Sequence, residues 1–417
     1  MTEEFVITGI GIVSAAGIGK DAFWDALING KSGLKKITRF DTRHKKNHFG
    51  GEVADFDLDA IFSDRRFRRV ANISKYSLGS SKLAIDDAGL DPCKWDGTKV
   101  GLVVGVTHGA ISYSREFHAA LVKEGPINVS PMLFSDSVLN IAASNVSIAF
   151  SIKGAAHTIV GGIPAGLDAI AYAIKIMKNS CLDICLVGGA EEIDSIVFDT
   201  YARFGLLSPN TDIGKMGRLR KFNPQDLVEG IKPFGINRNG FVIGEGACML
   251  LIENKRAAVA RGARIYAGLH GVKTTVHAIS ANLSGFSRDI CNNEDTYIST
   301  GANGTKNDII EAEMLQSLYD RDQTHAHSIK KPFIGNIKPI VGECFAAGSL
   351  MQAASAAMAL YTGIIPPSNI RSIIQDSRFK DLGRFNPFPE KSEVKKALVS
   401  SIGLKGEGSF LILKNPD

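Results

Sequence analysis

Residues 154–191 read GAAHTIVGGIPAGLDAIAYAIKIMKNSCLDICLVGGAE, and the order of their parts decides the fold. Small and apolar residues recur at helical spacing after Pro164, whose fixed φ suits a first helical turn, so a helix is predicted over 165–177. An apolar run over 183–187 then predicts a buried strand that runs into Gly188 and Gly189. Outward from this stretch the same grammar continues. Buried strands are expected over 5–13 and 100–106, and a glycine turn leading into a strand over 240–252. Beyond them come a strand over 333–337, a small-residue helix over 346–360, and strands over 397–401 and 409–413 joined by the glycine-rich IGLKGEG. Helical patterns cover 21–27, 75–88 (ending at Gly89), 137–152 and 308–319, while 212–233 and 282–305 read as polar, irregular excursions. Strands that are apolar throughout, rather than alternating, are covered on both faces, which indicates a parallel or mixed sheet between helix layers. Strand, glycine turn, small-residue helix and strand occur in each half, as one motif used twice.

The composition narrows the function. The 417 residues carry 48 basic and 43 acidic side chains, a net charge of +5, with 44% hydrophobic and 22% charged residues. Disordered, coiled-coil and collagen-like chains are excluded. So mild a charge excess argues against nucleic acid but leaves room for one basic patch facing an acidic partner. The six cysteines (93, 181, 185, 248, 291 and 344) are scattered, with no CxxC pair, and read as reduced thiols. The acidic start MTEEFVITGIGIV enters a strand pattern directly, without the features of a signal peptide, and no apolar run reaches the length that spans a bilayer. A cytoplasmic protein away from membranes is expected. Gly9-Ile10-Gly11 follows a strand, yet Ser14 stands where a dinucleotide loop wants its third glycine, so a structural turn is expected there. No cofactor and no metal site are expected, for want of a clustered ligand set.

Taken with PFGINRNGFVIGEGACMLLIE (233–253), IKPIVGECFAAGS (337–349) and ALVSSIGLKGEG (397–408), the opening stretch resembles the β-ketoacyl synthases, the elongating condensing enzymes of fatty acid and polyketide synthesis, over nearly the whole chain. The resemblance implies an α/β, thiolase-like five-layered αβαβα fold with two pseudo-repeated halves of mixed sheet, residues 1–254 and 255–417, and a dimer. It also implies a catalytic set: a cysteine at a helix start, where the helix dipole favours the thiolate, two histidines that stabilise an enolate, and a lysine. Matched without gaps from Gly154 to Glu191, the cysteine position falls on Ile163. The H-G-T motif reads Asn303-Gly304-Thr305, and K-x-x-x-G-H reads Lys338 to Glu343. Of the four positions only Lys338 is retained, so no catalytic residue is expected. Glu343 replaces a buried histidine. A lone buried carboxylate is costly, so a Lys338–Glu343 pair is expected, with a residual acid/base role as the alternative.

A second resemblance is to the chain length factor, the inactive homologue that pairs with an active ketosynthase in aromatic polyketide synthases. Ser114-Arg115-Glu116-Phe117, Glu124-Gly125-Pro126, Val129-Ser130 and Ala165-Gly166-Leu167-Asp168-Ala169 carry it. Chain length factors commonly hold glutamine at the cysteine position, and Ile163 departs from that. The implied partners are an active ketosynthase subunit in a heterodimer, an acyl carrier protein and the growing poly-β-ketoacyl chain, held in a tunnel across the dimer interface. The implied tunnel liners are Thr107, Phe117, Met132, Leu133, Phe134 and Ser137, with ordinary interface packing as the other reading. The family's gating phenylalanine is matched to Ile402, and Lys405 and Glu407 stand where the gating loop carries small residues. Arg65, Arg68 and Arg69 fall where ketosynthases present basic side chains to the acidic carrier protein, a solvated surface helix being the alternative. A divergent condensing or decarboxylating enzyme, and an inactive homodimeric carrier-protein binder, are the rival functions.

Overall fold

The computed structural model describes residues 4–180, 182–209, 231–277, 295–320, 330–368, 376–379 and 381–416. Ten strands carry the fold. The first five are β1 (Phe5–Ser14), β2 (Val100–Val106), β3 (Ala156–Val160), β4 (Ile184–Glu191) and β5 (Gly246–Asn254). The second five are β6 (Ala267–Thr275), β7 (Thr296–Ser299), β8 (Phe333–Gly335), β9 (Lys396–Ile402) and β10 (Gly408–Lys414). They form one sheet in the order β8-β7-β9-β10-β6-β1-β5-β4-β2-β3. From its outer edge inward each five runs third, second, fourth, fifth, first. In each, the second strand is parallel to the third and fourth, and the fourth–fifth and fifth–first pairs are antiparallel. The two fives join where Phe5–Ile7 of β1 runs antiparallel to residues 267–269 of β6. The repeated topology gives physical form to the motif used twice.

The helices are α1 (Lys20–Asn29), α2 (Asn72–Asp87), α3 (Ile111–Glu124), α4 (Pro131–Ser137), α5 (Ile141–Ala149), α6 (Ala165–Asn179), α7 (Ser195–Arg203), α8 (Asn307–Asp320) and α9 (Phe345–Thr362). α2 and α5 cover one face of the first five strands, and α8 packs on β9 in the second. Between the two halves lie α6 and α9, in contact with each other and with strands of both. Every residue of α9 from Phe345 to Leu360 is buried. Small side chains make the crossing possible. A Cβ added at Gly166 would lie 2.3 Å from the carbonyl oxygen of Ala346, and one added at Gly189 the same distance from that oxygen.

Several elements differ from the expectations. Helix 75–88 begins earlier, at Asn72, and Gly89 follows it with φ +67°. The helix expected over 137–152 is shorter, Ile141–Ala149, and a separate helix precedes it. Pro131 opens α4, Val138 is extended, and α5 starts only at Ile141. The polar stretch 282–305 contains a fully buried strand, β7, which pairs with β8 and β9. Residues 278–294 lie outside the described residues, as do 210–230 of the other polar excursion. Among the described residues no helix is long and apolar enough to cross a membrane.

The close crossing fixes an expected outcome. Gly166→Ala gains up to about 1 kcal/mol of helix propensity. It forces a Cβ to within 2.1 Å of Leu350 Cδ2 as well as onto the Ala346 carbonyl, and overpacking of that kind costs about 1–3 kcal/mol. A net loss of stability is expected, read as a lower urea midpoint with an unchanged slope.

Candidate functional site

The starts of α6 and α9 and the loop between β7 and α8 converge. Ile163 lies one residue before Pro164, the N-cap of α6. It is buried, in one apolar cluster with Ile37, Phe198, Phe241 and Phe345. Phe345 is the first residue of α9 and holds φ +47°, left-handed backbone that is costly for a bulky residue. Its ring stacks on Tyr201 at 5.2 Å and meets His108 and Phe241 edge-on at 4.7 and 5.8 Å. His108 in turn bridges the buried Glu191 carboxylate, 3.0 Å from Nδ1, and the Tyr201 hydroxyl, 3.0 Å from Nε2. Burial, and then the charges of Glu191 and Glu343, push the Tyr201 phenol up. The space around Ile163 is therefore occupied by side chains from five separate stretches of chain.

Asn303, Lys338 and Glu343 come together as a buried polar knot. Lys338 Nζ contacts Glu343 Oε2, and the Asn303 amide donates to the same oxygen at 2.8 Å. The Phe345 N–H donates to Oε1 at 3.0 Å. The Asn303 carbonyl oxygen accepts from the Thr305 hydroxyl at 2.8 Å. The expected Lys338–Glu343 pair is present, and it leaves the carboxylate fully engaged. The turn Lys338–Val341 and Gly342, at φ +86°, fold the chain back so that residues five apart can meet.

A second pair of acids stands behind this knot. Asp308 accepts the N–H groups of Phe234 and Asn303 at 2.9 Å each, and burial pushes its carboxyl up to about 6. Glu311 accepts the Gly301 N–H at 2.8 Å and the Ser400 hydroxyl, and burial pushes it up to about 7. Farther off, both oxygens of the buried Glu245 take Arg39 at 2.6 Å, and the Tyr76 hydroxyl donates to Oε1 at 3.0 Å. This ties the segment around Arg39 to the start of β5.

The expected tunnel residues fall in two places. Thr107 ends β2 next to Ile163, its hydroxyl donating to the Gly162 carbonyl at 3.3 Å. Phe117 of α3 and Phe134 of α4 pack ring to ring at 5.4 Å, and the Ser114 hydroxyl donates to the Ser137 carbonyl at 2.9 Å. Neither helix buries a residue. Met132 and Phe134 are exposed and Leu133 is half-buried; Val122 of α3, Ile127 and Val160 of the edge strand β3 are exposed as well. Ile402 lies elsewhere, in the core with Phe234, Ile298 and Phe410. Leu404 is the loop residue that packs on the Ile163 cluster. Arg65, Arg68 and Arg69 are exposed, and the expected helix is a 3₁₀ turn, Arg65–Phe67, capped by Asp64 and anchored by buried Phe67. Arg68 approaches Asp59 at 3.2 Å. His108, Tyr201, Glu191 and Phe345 were not legible as site residues. Their only sequence signal is position at the end of a strand or the start of a helix.

Two outcomes follow. Lys338→Met strands a buried carboxylate and is expected to cost about 3–5 kcal/mol, whereas Lys338→Met with Glu343→Met is expected to recover most of it, read by urea unfolding. Asp308 and Glu311 hold their protons more tightly when folded than at their ordinary values of 3.8 and 4.5. Their contribution to stability is thus complete at low pH and lost as pH rises through about 6 to about 7. In Glu311→Gln the fall in stability from about pH 5 to about pH 8 is expected to be shallower than in the parent.

Comparison with known proteins places this geometry. The model of the "Beta-ketoacyl synthase, N-terminal domain" matches residues 2–258, and that of the "Beta-ketoacyl synthase, C-terminal domain" matches residues 287–370. A "3-oxoacyl-[acyl-carrier-protein] synthase 2" of Vibrio harveyi is 26% identical, covering 98% of each chain. A "Putative polyketide beta-ketoacyl synthase 1" of Streptomyces halstedii is 28% identical, covering 100% of this chain and 99% of that one. Among solved structures, "The ishigamide ketosynthase/chain length factor" superposes with a TM-score of 0.85 at 24% identity, each chain covered in full. A "Beta-ketoacyl synthase from Burkholderia phymatum STM815" gives a TM-score of 0.82 at 21% identity, also over the full length of both. The structural likenesses establish the thiolase-like fold expected above. With its doubled strand order and both halves matched by the family models, the chain belongs to the β-ketoacyl synthase family.

Proposed function

We propose that this chain is a non-catalytic subunit, a chain length factor, that heterodimerises with an active ketosynthase and shapes the polyketide tunnel in a bacterial type II polyketide synthase making an aromatic polyketide or a polyene. The carrying observation is the state of Glu343. Where the family resemblance calls for a neutral imidazole that receives enolate charge, the chain has a buried carboxylate engaged by Lys338, Asn303 and the Phe345 N–H. An enolate formed beside it would meet an acceptor already engaged by three donors and no imidazole N–H to receive its charge. Ile163 offers no nucleophile, and its surroundings are filled.

The exposed α3–α4 face supports the partner assignment. Met132, Phe134, Val122 and Ile127 are large apolar side chains left to solvent on one chain, as expected of a surface that a second subunit covers. Phe117, Met132, Leu133, Phe134, Ser137 and Thr107 would line the tunnel at that junction. The turn bearing Arg65, Arg68 and Arg69 would face an acidic acyl carrier protein.

Expression of the chain alone and with an active type II ketosynthase, followed by native mass spectrometry, tests this. A 1:1 heterodimer is expected, with a shift in product length when Phe134 is changed to Ala or Trp in that complex. A stable homodimer that ignores the ketosynthase, or malonyl-carrier decarboxylation by the isolated chain, would overturn the reading.

A further inference from the structure

A polar seam runs through the core between α9 and the second five strands. Tyr297 of β7 packs in the apolar cluster that holds α9, and Ser299, two residues on, shares its face of the sheet. Val399 of β9 is in the same cluster, and Ser401 lies two residues on from it. Gln352 and Ser355, three apart on α9, share a face of that helix. All five side chains are fully buried. Among the described residues, Tyr297 Oη, Ser299 Oγ, Gln352 Oε1, Ser355 Oγ and Ser401 Oγ are buried without a hydrogen-bond partner, and the other such atoms, on Ser81, Ser147 and Thr158, are scattered over α2, α5 and β3. Ser349 and Thr362 of α9 return their hydroxyls to the Ala346 and Met358 carbonyls at 2.9 and 2.8 Å, but Ser355 does not bond back to its helix. Gln352 Nε2 donates to the Ser299 and Ser400 carbonyls at 3.3 and 3.0 Å, which fixes the amide and turns Oε1 away from them. Burial pushes the Tyr297 phenol up to about 12, and the Ser355 and Ser299 hydroxyls lie near enough to draw it back. Gly335 makes room for the phenol oxygen, since a Cβ there would lie 2.1 Å from it.

We propose that this seam is a buried water site: ordered water bridges the hydroxyls of Tyr297, Ser299 and Ser355 and reaches Gln352 Oε1 and Ser401. Left dry, five orphaned polar groups together would cost as much as the whole net stability of a typical domain. A buried water makes about three hydrogen bonds to such groups, so about two molecules satisfy the set. The chemistry fits water. The four hydroxyls can each donate and accept, whereas Gln352 Oε1 only accepts, and a molecule with two donors and two acceptors matches that mixture. A cation does not fit. None of the five groups is a carboxylate, and the Ser299 and Ser400 carbonyls are taken by the Gln352 amide. Glu311, which accepts the Ser400 hydroxyl, is separately engaged by the Gly301 N–H. Water therefore seats α9 on β7 and β9, whereas on β4 the same helix is seated by direct backbone contact at Gly189. The site is independent of the subunit assignment, so each can fail alone.

The test is a crystal structure of the full chain at a resolution that places ordered water, joined to urea unfolding of Tyr297→Phe. Solvent density within hydrogen-bond distance of Tyr297 Oη and of Ser299, Ser355 or Gln352 is expected. A dry seam, with the hydroxyls bonded directly to one another or to nothing, overturns the proposal. So does a monovalent cation in the seam, recognised by anomalous signal after a soak in a thallium(I) salt. In solution, Tyr297→Phe takes one partner from the water and is expected to raise the unfolding equilibrium constant about fivefold, read as a lower urea midpoint at an unchanged slope. An unchanged or higher midpoint, the result for a hydroxyl buried dry and unpaired, overturns the proposal as well. The crystal measurement uses the parent chain, so it decides the question even where the variant fails to fold.

Discussion

The arrangement depends on how closely α6 and α9 pass each other. Gly166 against the Ala346 carbonyl, and Gly189 of β4 against the same oxygen, bring the backbones of the two halves to a distance that any side chain would prevent. That distance sets where each helix begins. α6 begins just after Ile163 and α9 begins at Phe345, two residues after Glu343, so the approach of the helices also brings these positions together. The doubled topology supplies the symmetry: each helix precedes the fourth strand of its own half and lies between the two halves of the sheet.

Around those helix starts the buried polar groups are satisfied by donors from several segments. Burying Glu343 without partners would cost several kcal/mol, and three donors from three segments offset that cost. The aromatic group of Tyr201, Phe241 and Phe345 fills the volume next to Ile163, and the left-handed backbone at Phe345 is held by that packing and by the hydrogen bond from its N–H to Glu343. Interiors packed in this way transmit strain and leave little freedom for a substrate atom to enter.

What lies outside this centre differs in kind. α3 and α4 bury nothing within the chain, and the edge strand β3 is exposed at Ala156, His157 and Val160. An edge with free hydrogen-bonding groups beside apolar helices is a surface that soluble proteins cover or protect. The chain thus combines a densely packed interior around the starts of α6 and α9 with exposed apolar side chains on α3 and α4.

By itself the sequence determined the layered α/β class, through apolar runs at 5–13 and 100–106 and the helical run after Pro164, because local periodicity follows from which face of an element is buried. With the family resemblance, which puts Glu343 at a buried position, it pointed to the Lys338–Glu343 pair, because a buried carboxylate needs a cation nearby. Tertiary structure decided what periodicity does not carry. β7 is a strand only because β8 and β9 flank it, although its neighbourhood is polar. The helix expected over 137–152 starts only at Ile141, because Val138 is extended between α4 and α5. Leu404 rather than Ile402 reaches the Ile163 cluster, and Glu407 reaches Gly162, because a loop's direction is set by the strands it joins. His108, Glu191, Tyr201 and Phe345 lie far apart in the chain, and contacts of that range are fixed by the packing of whole elements, not by any local pattern of residues.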